Sequence, residues 1–125
     1  MNKYIYLIFT FSLACSASLA QNNEENFRFT YKPMAGSYEI YGGELDGPRA
    51  ADAESTNIAI KIQGAAAKDI FNSLGKDIKN ACVSEAGERV RMKKDMACFL
   101  SKKEGYSCFV GFDLKTGKSK AGVIC

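Results

Sequence analysis

The sequence contains no histidine among its 125 residues. This absence excludes a Ser-His-Asp triad, a Cys-His nucleophile, a histidine general base and histidine-based zinc catalysis. It also contains no Cys-x-x-C pair, so neither a zinc ribbon nor a thioredoxin-type redox site is indicated. We therefore expect no cofactor, no metal site and no catalytic residue. Only an enzyme that works with carboxylates, lysine or tyrosine stays possible as a less favoured alternative.

A hydrophobic run long enough to cross a membrane is also missing. The apolar stretch at residues 4–15 has roughly 12 residues, whereas a transmembrane helix needs about 20. It follows Lys3 and is followed by small residues, with Ser18 and Ala20 at the −3 and −1 positions of a cleavage site. This pattern is typical of a secretory signal peptide over residues 1–20. It predicts a periplasmic or secreted protein with a flexible segment at 21–26 and a single domain at 27–125.

Cys15 supports a second interpretation of the same leader. Ser12-Leu13-Ala14-Cys15 is similar to a bacterial lipobox, in which the cysteine carries lipid. The alternative is therefore a structural envelope lipoprotein that is anchored through Cys15. Only in that case do we expect contact with a membrane.

The other four cysteines are Cys82, Cys98, Cys108 and Cys125. An even number in a small exported domain predicts two disulfides. A symmetric hairpin at the SKKEG stretch places Cys98 opposite Cys108, and one at the KTGK stretch places Cys108 opposite Cys125. Since Cys108 can bond only one of them, we favour Cys82–Cys98 with Cys108–Cys125. The alternative is Cys98–Cys108 with Cys82–Cys125.

The hydrophobic periodicity predicts an α+β fold. Strand-like alternation occurs at residues 27–31, 37–41, 58–62, about 90–100, 106–112 and 120–125. Residues 65–82 have the apolar spacing of an amphipathic helix, with Gly75 in its middle costing about 1 kcal/mol relative to alanine. We expect this helix to pack on an antiparallel sheet of about five to six strands, with two disulfides.

The stretch GFDLKTGKS at 111–119 has parts of two catalytic signatures. Five residues separate Gly111 from Gly117, whereas a P-loop has four and is followed by a helix. Lys-Thr-Gly also occurs in penicillin-binding proteins, but the rest of that signature and the length of that fold are missing. The stretch therefore predicts a hairpin turn, and we expect neither a nucleotide nor a nucleic-acid partner.

Charge is distributed unevenly along the chain. Residues 21–88 carry 7 basic and 11 acidic side chains, and residues 89–125 carry 9 basic and 3 acidic ones. The basic part is suited either to an anionic envelope surface or to keeping strands soluble and sheet edges unpaired. The second interpretation is the one we favour.

Residues 43–56 lack periodicity and form the longest predicted loop, a common location for function. Its candidate partner-binding residues are Glu44, Asp46, Arg49, Asp52 and Glu54. Acidic side chains of this loop are suited to a basic partner such as a lysozyme. The sequence therefore predicts a non-catalytic exported binding protein that acts on a protein partner or an envelope component. An inhibitor or immunity protein is the most specific form of this prediction.

The layout YGG…helix…C…C…GFDLKTGKS…GxIC resembles small uncharacterised exported proteins of Gram-negative bacteria. The size, the leader and the cysteines are also similar to those of periplasmic lysozyme inhibitors, which carry a Ser-Gly-x-x-Tyr loop. The corresponding stretch here is Met34-Ala35-Gly36-Ser37-Tyr38, with alanine in place of that serine. This second resemblance implies inhibition of a lysozyme without catalysis.

Overall fold

The computed structural model describes residues 28–79, 81 and 83–125. The predicted signal peptide 1–20 with Cys15, the segment 21–26, and Cys82 lie outside these residues. The chain divides into two units, Met1–Tyr31 and Lys32–Cys125. In the described part of the first unit, residues 28–31 form no strand, contrary to the strand predicted at 27–31.

The second unit is an antiparallel sheet with one helix. Its elements in the described chain are β1 (Ala35–Glu44), β2 (Gly47–Arg49), β3 (Asn57–Gln63), α1 (Gly64–Ser73), β4 (Arg89–Lys93), β5 (Met96–Ser101), β6 (Gly105–Asp113) and β7 (Ser119–Lys120). The strand order is β2-β1-β3-β6-β5-β4, and β7 pairs with β6. The predicted α+β class is confirmed, with seven strands among the described residues instead of five or six. The extra strands come from β2, inside the predicted loop, and from a hairpin inside the run predicted at 90–100.

The core lies where α1 covers one face of the sheet. Ile62, Ala67, Phe71, Cys98 and Cys108 are buried there. The ring of Phe71 meets that of Tyr106 edge to face, at 5.3 Å between centroids. Burying a side chain of this size contributes about 1.5–3 kcal/mol. The hydrophobic stripe of the helix and the even-numbered positions of β3 and β6 therefore hold the two layers together.

The helix is shorter than its hydrophobic pattern predicts. It ends at Ser73, Leu74 donates its main-chain N–H to the carbonyl oxygen of Ile70, and Gly75 has a φ of 94°. A glycine in the left-handed region directly after the last turn is a common helix end. The helix predicted over 65–82 is therefore confirmed only as far as Ser73, and placing Gly75 in its middle was wrong, because Gly75 follows the last turn.

The run predicted as one strand at 90–100 is a hairpin. Lys93 pairs with Met96, and the two residues between them form the turn. Lys94 has a φ of 51°. Residues other than glycine, asparagine and aspartate rarely adopt this left-handed backbone conformation. Asp95 accepts a hydrogen bond from the hydroxyl of Ser119 at 2.5 Å, which connects this turn to β7.

The disulfide corrects the favoured cysteine pairing. Cys98 is bonded to Cys108, with their Cα atoms 4.0 Å apart. The hairpin between β5 and β6 has the predicted register, in which these two cysteines face each other. The pairing Cys82–Cys98 with Cys108–Cys125 is therefore wrong, because directly opposed cysteines bond across the ladder.

The hairpin between β6 and β7 confirms the turn predicted in GFDLKTGKS but not its centre. Phe112 pairs with Ser119 and Gly111 with Lys120, so the centre lies one residue earlier than predicted. Gly117 donates its N–H to the carbonyl oxygen of Asp113 at 2.8 Å within this turn. Because β7 ends at Lys120, Cys125 does not lie opposite Cys108 in the ladder.

Candidate functional site

Residues 121–125 cross the sheet on the face opposite α1. A Cβ atom added at Gly122 would lie 2.6 Å from the main-chain nitrogen of Val110, and one at Gly111 would lie 2.8 Å from the carbonyl oxygen of Ala121. Two glycines thus allow the segment to lie directly on β6. Val123 and Ile124 then form one wall of a cavity on this face.

This cavity, which we name the aromatic cleft, has a volume of about 390 Å³. Phe99 and Phe109 form its floor, with ring centroids 5.7 Å apart and the rings nearly perpendicular. Both follow a cysteine of the disulfide, so they point to the opposite face of the sheet. The lining consists of Ser84, Glu85, Glu88, Phe99, Ser101, Lys103, Glu104, Ser107, Phe109, Val123 and Ile124.

One carboxylate of the aromatic cleft already has a cationic partner. Glu104 accepts a hydrogen bond from the ammonium of Lys61 at 2.9 Å, and its N–H donates to the hydroxyl of Ser101 at 3.0 Å. The hydrogen bond from Lys61 lowers the pKa of Glu104 from its usual value. The same ammonium lies 5.8 Å from the ring centroid of Phe109. A cation over this ring is therefore part of the fold.

The other two carboxylates have no cationic partner in the part of the chain that the structure describes. Glu88 accepts hydrogen bonds from the N–H of Ser84 at 2.7 Å and from its hydroxyl at 3.2 Å. Glu85 and Glu88 form no ion pair within the described ranges. Lys103 also lines the cleft, so these two carboxylates, one lysine and the two aromatic rings face the same space.

The predicted partner-binding loop contains β2 and an ordered turn after it, in which three of the candidate residues contact each other. Asp52 forms an ion pair with Arg49 and accepts main-chain hydrogen bonds from Glu54 and Ser55, both at 2.8 Å. The hydrogen bond from Arg49 and these N–H groups lower the pKa of Asp52 to about 2. The structure therefore brings Arg49, Asp52 and Glu54 together within one turn.

The remaining two candidates lie apart from that turn. Glu44 ends β1 and pairs with Lys120 at 3.1 Å, whereas Asp46 is exposed in the turn between β1 and β2. Asn57 is buried and donates from its side-chain amide to the carbonyl oxygen of Gly43 at 2.9 Å. Two of the four predicted acids thus already have an internal cation.

Sequence reasoning missed the aromatic cleft, although one signal for it was present. The register that places Cys98 opposite Cys108 also places Phe99 opposite Ser107 on the other face. What the pattern could not reveal is the crossing of residues 121–125 over β6. That crossing depends on close approaches between residues that are far apart in sequence.

Comparison with known protein families, with curated proteins and with solved structures finds no match to this chain. In the described residues, no helix is both long and apolar enough to cross a membrane. The same residues contain no group of three histidine, cysteine, aspartate or glutamate side chains positioned to hold a metal ion.

Proposed function

We propose that the protein is a non-catalytic exported binding protein, and that its aromatic cleft holds a cationic group of a protein partner. One observation carries the proposal: two phenyl rings face one cavity of about 390 Å³ together with two carboxylates that have no cationic partner among the described residues. A cation placed there is attracted by the ring faces and the carboxylates together. An inhibitor or immunity protein that acts on a basic enzyme is the specific form of this proposal.

The size of the aromatic cleft is suited to a lysine or arginine side chain. Its volume is at the lower end of the roughly 300–1,000 Å³ that ligand sites occupy. Such a side chain lays its aliphatic stem along apolar surface while its charged end stays near polar groups. Val123 and Ile124 offer that surface, and Glu85 and Glu88 offer the counter-charge.

The acidic loop is a less favoured binding site for the same partner. Glu44 and Asp52 are already paired with Lys120 and Arg49. Recruiting them would require breaking ion pairs that the fold provides. In the aromatic cleft, Glu85 and Glu88 carry no such requirement within the described residues, whereas Glu104 is already paired with Lys61.

Binding to a basic lysozyme and to a lysine-rich peptide, measured by isothermal titration calorimetry, tests the proposal. We expect the double variant Glu85→Gln/Glu88→Gln to bind at least about tenfold more weakly, which corresponds to about 1.4 kcal/mol. The control Asp46→Asn/Glu54→Gln removes the same charge from the loop and should bind like the unmodified protein. If the loop variant alone lost affinity, the site would be the loop, and if neither probe bound, the proposal would fail.

Two further expectations belong to this proposal. Export as a soluble protein predicts a free N-terminus at Gln21, whereas the alternative of an envelope lipoprotein predicts lipid on Cys15, and mass spectrometry of the purified protein separates them.

We also propose a second disulfide, Cys82–Cys125, in addition to Cys98–Cys108. Its support is that Cys125 is itself disulfide-bonded, and peptide mapping without reduction tests it. The geometry gives a carboxylate hydrolase no specific support.

A further inference from the structure

In the part of the chain that the structure describes, the outer edge of β1 is open over seven residues. β1 pairs with β3 along residues 35–41, and β2 covers its other side only at residues 42–44. Pro33 lies just before this stretch. Within the described chain, no strand therefore lies beside the outer edge of residues 35–41.

The alternation of hydrogen bonds in the antiparallel ladder fixes which main-chain groups of β1 point outward. The two bonded cysteines face each other with Cα atoms 4.0 Å apart, the narrow spacing of a pair that exchanges no main-chain hydrogen bonds. Cys108 therefore directs its main-chain groups toward Ile62, and Ile62 directs its own away from Gly36. It follows that the N–H and C=O groups of Gly36, Tyr38 and Ile40 point outward, away from β3.

The side chains of this edge are also unprotected. Tyr38 is 69% exposed and Ile40 is 40% exposed, and their side chains lie on the same face of the sheet as α1. Residues 35–41 contain no lysine, arginine or proline, and their only charge is that of Glu39. Natural sheets commonly protect an exposed edge with such residues or with a bulge. Apart from Glu39, this edge has none of the residues that prevent pairing.

We propose that a second copy of this chain pairs with β1 in antiparallel orientation, with the two-fold axis at Tyr38. Gly36 then lies opposite Ile40 of the partner subunit, and Tyr38 opposite Tyr38 of the partner subunit. Each of these pairs exchanges two main-chain hydrogen bonds, which gives about six bonds across the interface. The two exposed tyrosines become cross-strand neighbours, a favourable arrangement for aromatic side chains.

Length and charge favour this register over its neighbours. Tyr38 is the central residue of the open stretch 35–41, so only this register uses all seven residues before β2 of either subunit blocks the edge. It places Glu39 opposite Ser37 of the partner subunit. A shift by one residue at the axis would instead place Glu39 opposite Glu39 of the partner subunit, and directly opposed like charges destabilise a ladder. The edge is thus self-complementary in one register.

The interface is small, and this sets its expected strength. One pair of seven-residue strands with two exposed apolar side chains each falls below the roughly 1,200 Å² of stable interfaces. We therefore expect a reversible dimer with a dissociation constant on the order of micromolar or weaker.

Analytical ultracentrifugation of the purified protein over a concentration series tests the dimer. The unmodified protein should change from monomer to dimer, whereas Tyr38→Lys, which opposes two ammonium groups at the axis, should stay monomeric at every concentration. Leu114→Lys is the matched control, since Leu114 is 51% exposed in the turn after β6, and it should dimerise normally. A monomer at all concentrations, or a dimer that Tyr38→Lys leaves intact, would overturn the proposal.

Cysteine cross-linking tests the register. Ser37→Cys and Glu39→Cys face each other across the proposed interface at a narrow pair without main-chain hydrogen bonds, the geometry that the native disulfide also has. An equimolar mixture of the two variants should form a covalent dimer on mild oxidation, and neither variant alone should do so efficiently. Cross-linking of Glu39→Cys with itself would contradict the register. Circular dichroism of each variant checks that it is folded.

Discussion

The two edges of the sheet differ in how they end. At β4, Ile78 donates its N–H to the carbonyl oxygen of Val90 at 2.8 Å. Arg89 and Arg91 also lie on this strand, and both bind the carboxylate of Asp77, at 2.6 and 2.7 Å. At β1, residues 35–41 have no such neighbour in the described chain, and the single charge there is acidic. One edge is closed by charge and by main-chain contact, and the other is open.

This difference shows that basic residues of the C-terminal part of the sequence have a structural role at the β4 edge. Arg91 lies with its guanidinium 4.3 Å from the ring centroid of Phe71, and it donates to the carbonyl oxygen of the same residue at 2.8 Å. The charge that protects β4 from pairing therefore also packs against the helix. Residues 35–41 of β1 receive no comparable group from the described residues, which is why we infer pairing there.

The largest expected effect on stability is the difference between truncating Phe71, which contacts the arginines of the β4 edge, and truncating Tyr38 on the β1 edge. Phe71 is 1% exposed, and the guanidinium groups of Arg89 and Arg91 lie over its ring. Phe71→Ala removes this buried ring and should therefore lower the free energy of unfolding by about 3–5 kcal/mol. Tyr38→Ala removes an exposed ring and should change it by less than about 0.5 kcal/mol. Urea unfolding of both variants, at a concentration where the protein is monomeric, measures the difference. Equal losses would mean that the open edge also holds the fold.

The next largest effect on stability concerns the Cys98–Cys108 disulfide, which joins β5 to β6. Replacing both cysteines, in Cys98→Ala/Cys108→Ala, opens a short loop of sequence separation 10 and should cost about 2–3 kcal/mol. The loss should fall on the β4–β5 hairpin, which the disulfide joins to β6, and should leave the pairing of β1 with β3 largely protected. Hydrogen exchange of individual amides distinguishes this local loosening from a uniform loss, which would contradict it.

Local patterns predicted part of this architecture, and close approaches between distant segments decided the rest. The alternation of Ile58, Ile60 and Ile62 correctly predicted a strand, and symmetry about the SKKEG turn correctly predicted the register of β5 and β6. The Lys94–Asp95 turn was missed because Asp95 is its only residue of a type that marks turns, with no glycine, asparagine or proline beside it.

The aromatic cleft depends on contacts between residues far apart in sequence. Its wall requires Gly122 to lie against Val110, and no periodicity within either segment encodes that contact. The floor could be predicted, since Phe99 and Phe109 follow the two opposed cysteines. The cavity above it could not.

A smaller effect is expected at the turn of the closed edge. Lys94 has a φ of 51°, and a left-handed conformation costs roughly 1–2 kcal/mol for a residue with a Cβ atom. Lys94→Gly should therefore raise the free energy of unfolding by about 0.5–1 kcal/mol after the entropy of glycine is subtracted. The matched control Lys93→Gly, in the strand, should lower it. A loss of stability in Lys94→Gly, measured by urea unfolding, would mean that the lysine side chain itself holds the turn.

The smallest effect is a pH dependence that belongs to the closed edge. Hydrogen bonds from Arg89 and then Arg91 lower the pKa of Asp77 to about 2, from an ordinary value of 3.8. Because the folded pKa is the lower one, the stability contributed by this carboxylate is present above about pH 4 and is lost as the pH falls toward 2. Asp77→Asn should therefore flatten the dependence of stability on pH in that window, and it should also speed the exchange of the Ile78 amide, which donates to Val90. Asp52→Asn, at a carboxylate whose pKa is also about 2, should flatten the same window without changing that amide. If both variants left the Ile78 amide equally protected, charge would not be what closes the β4 edge.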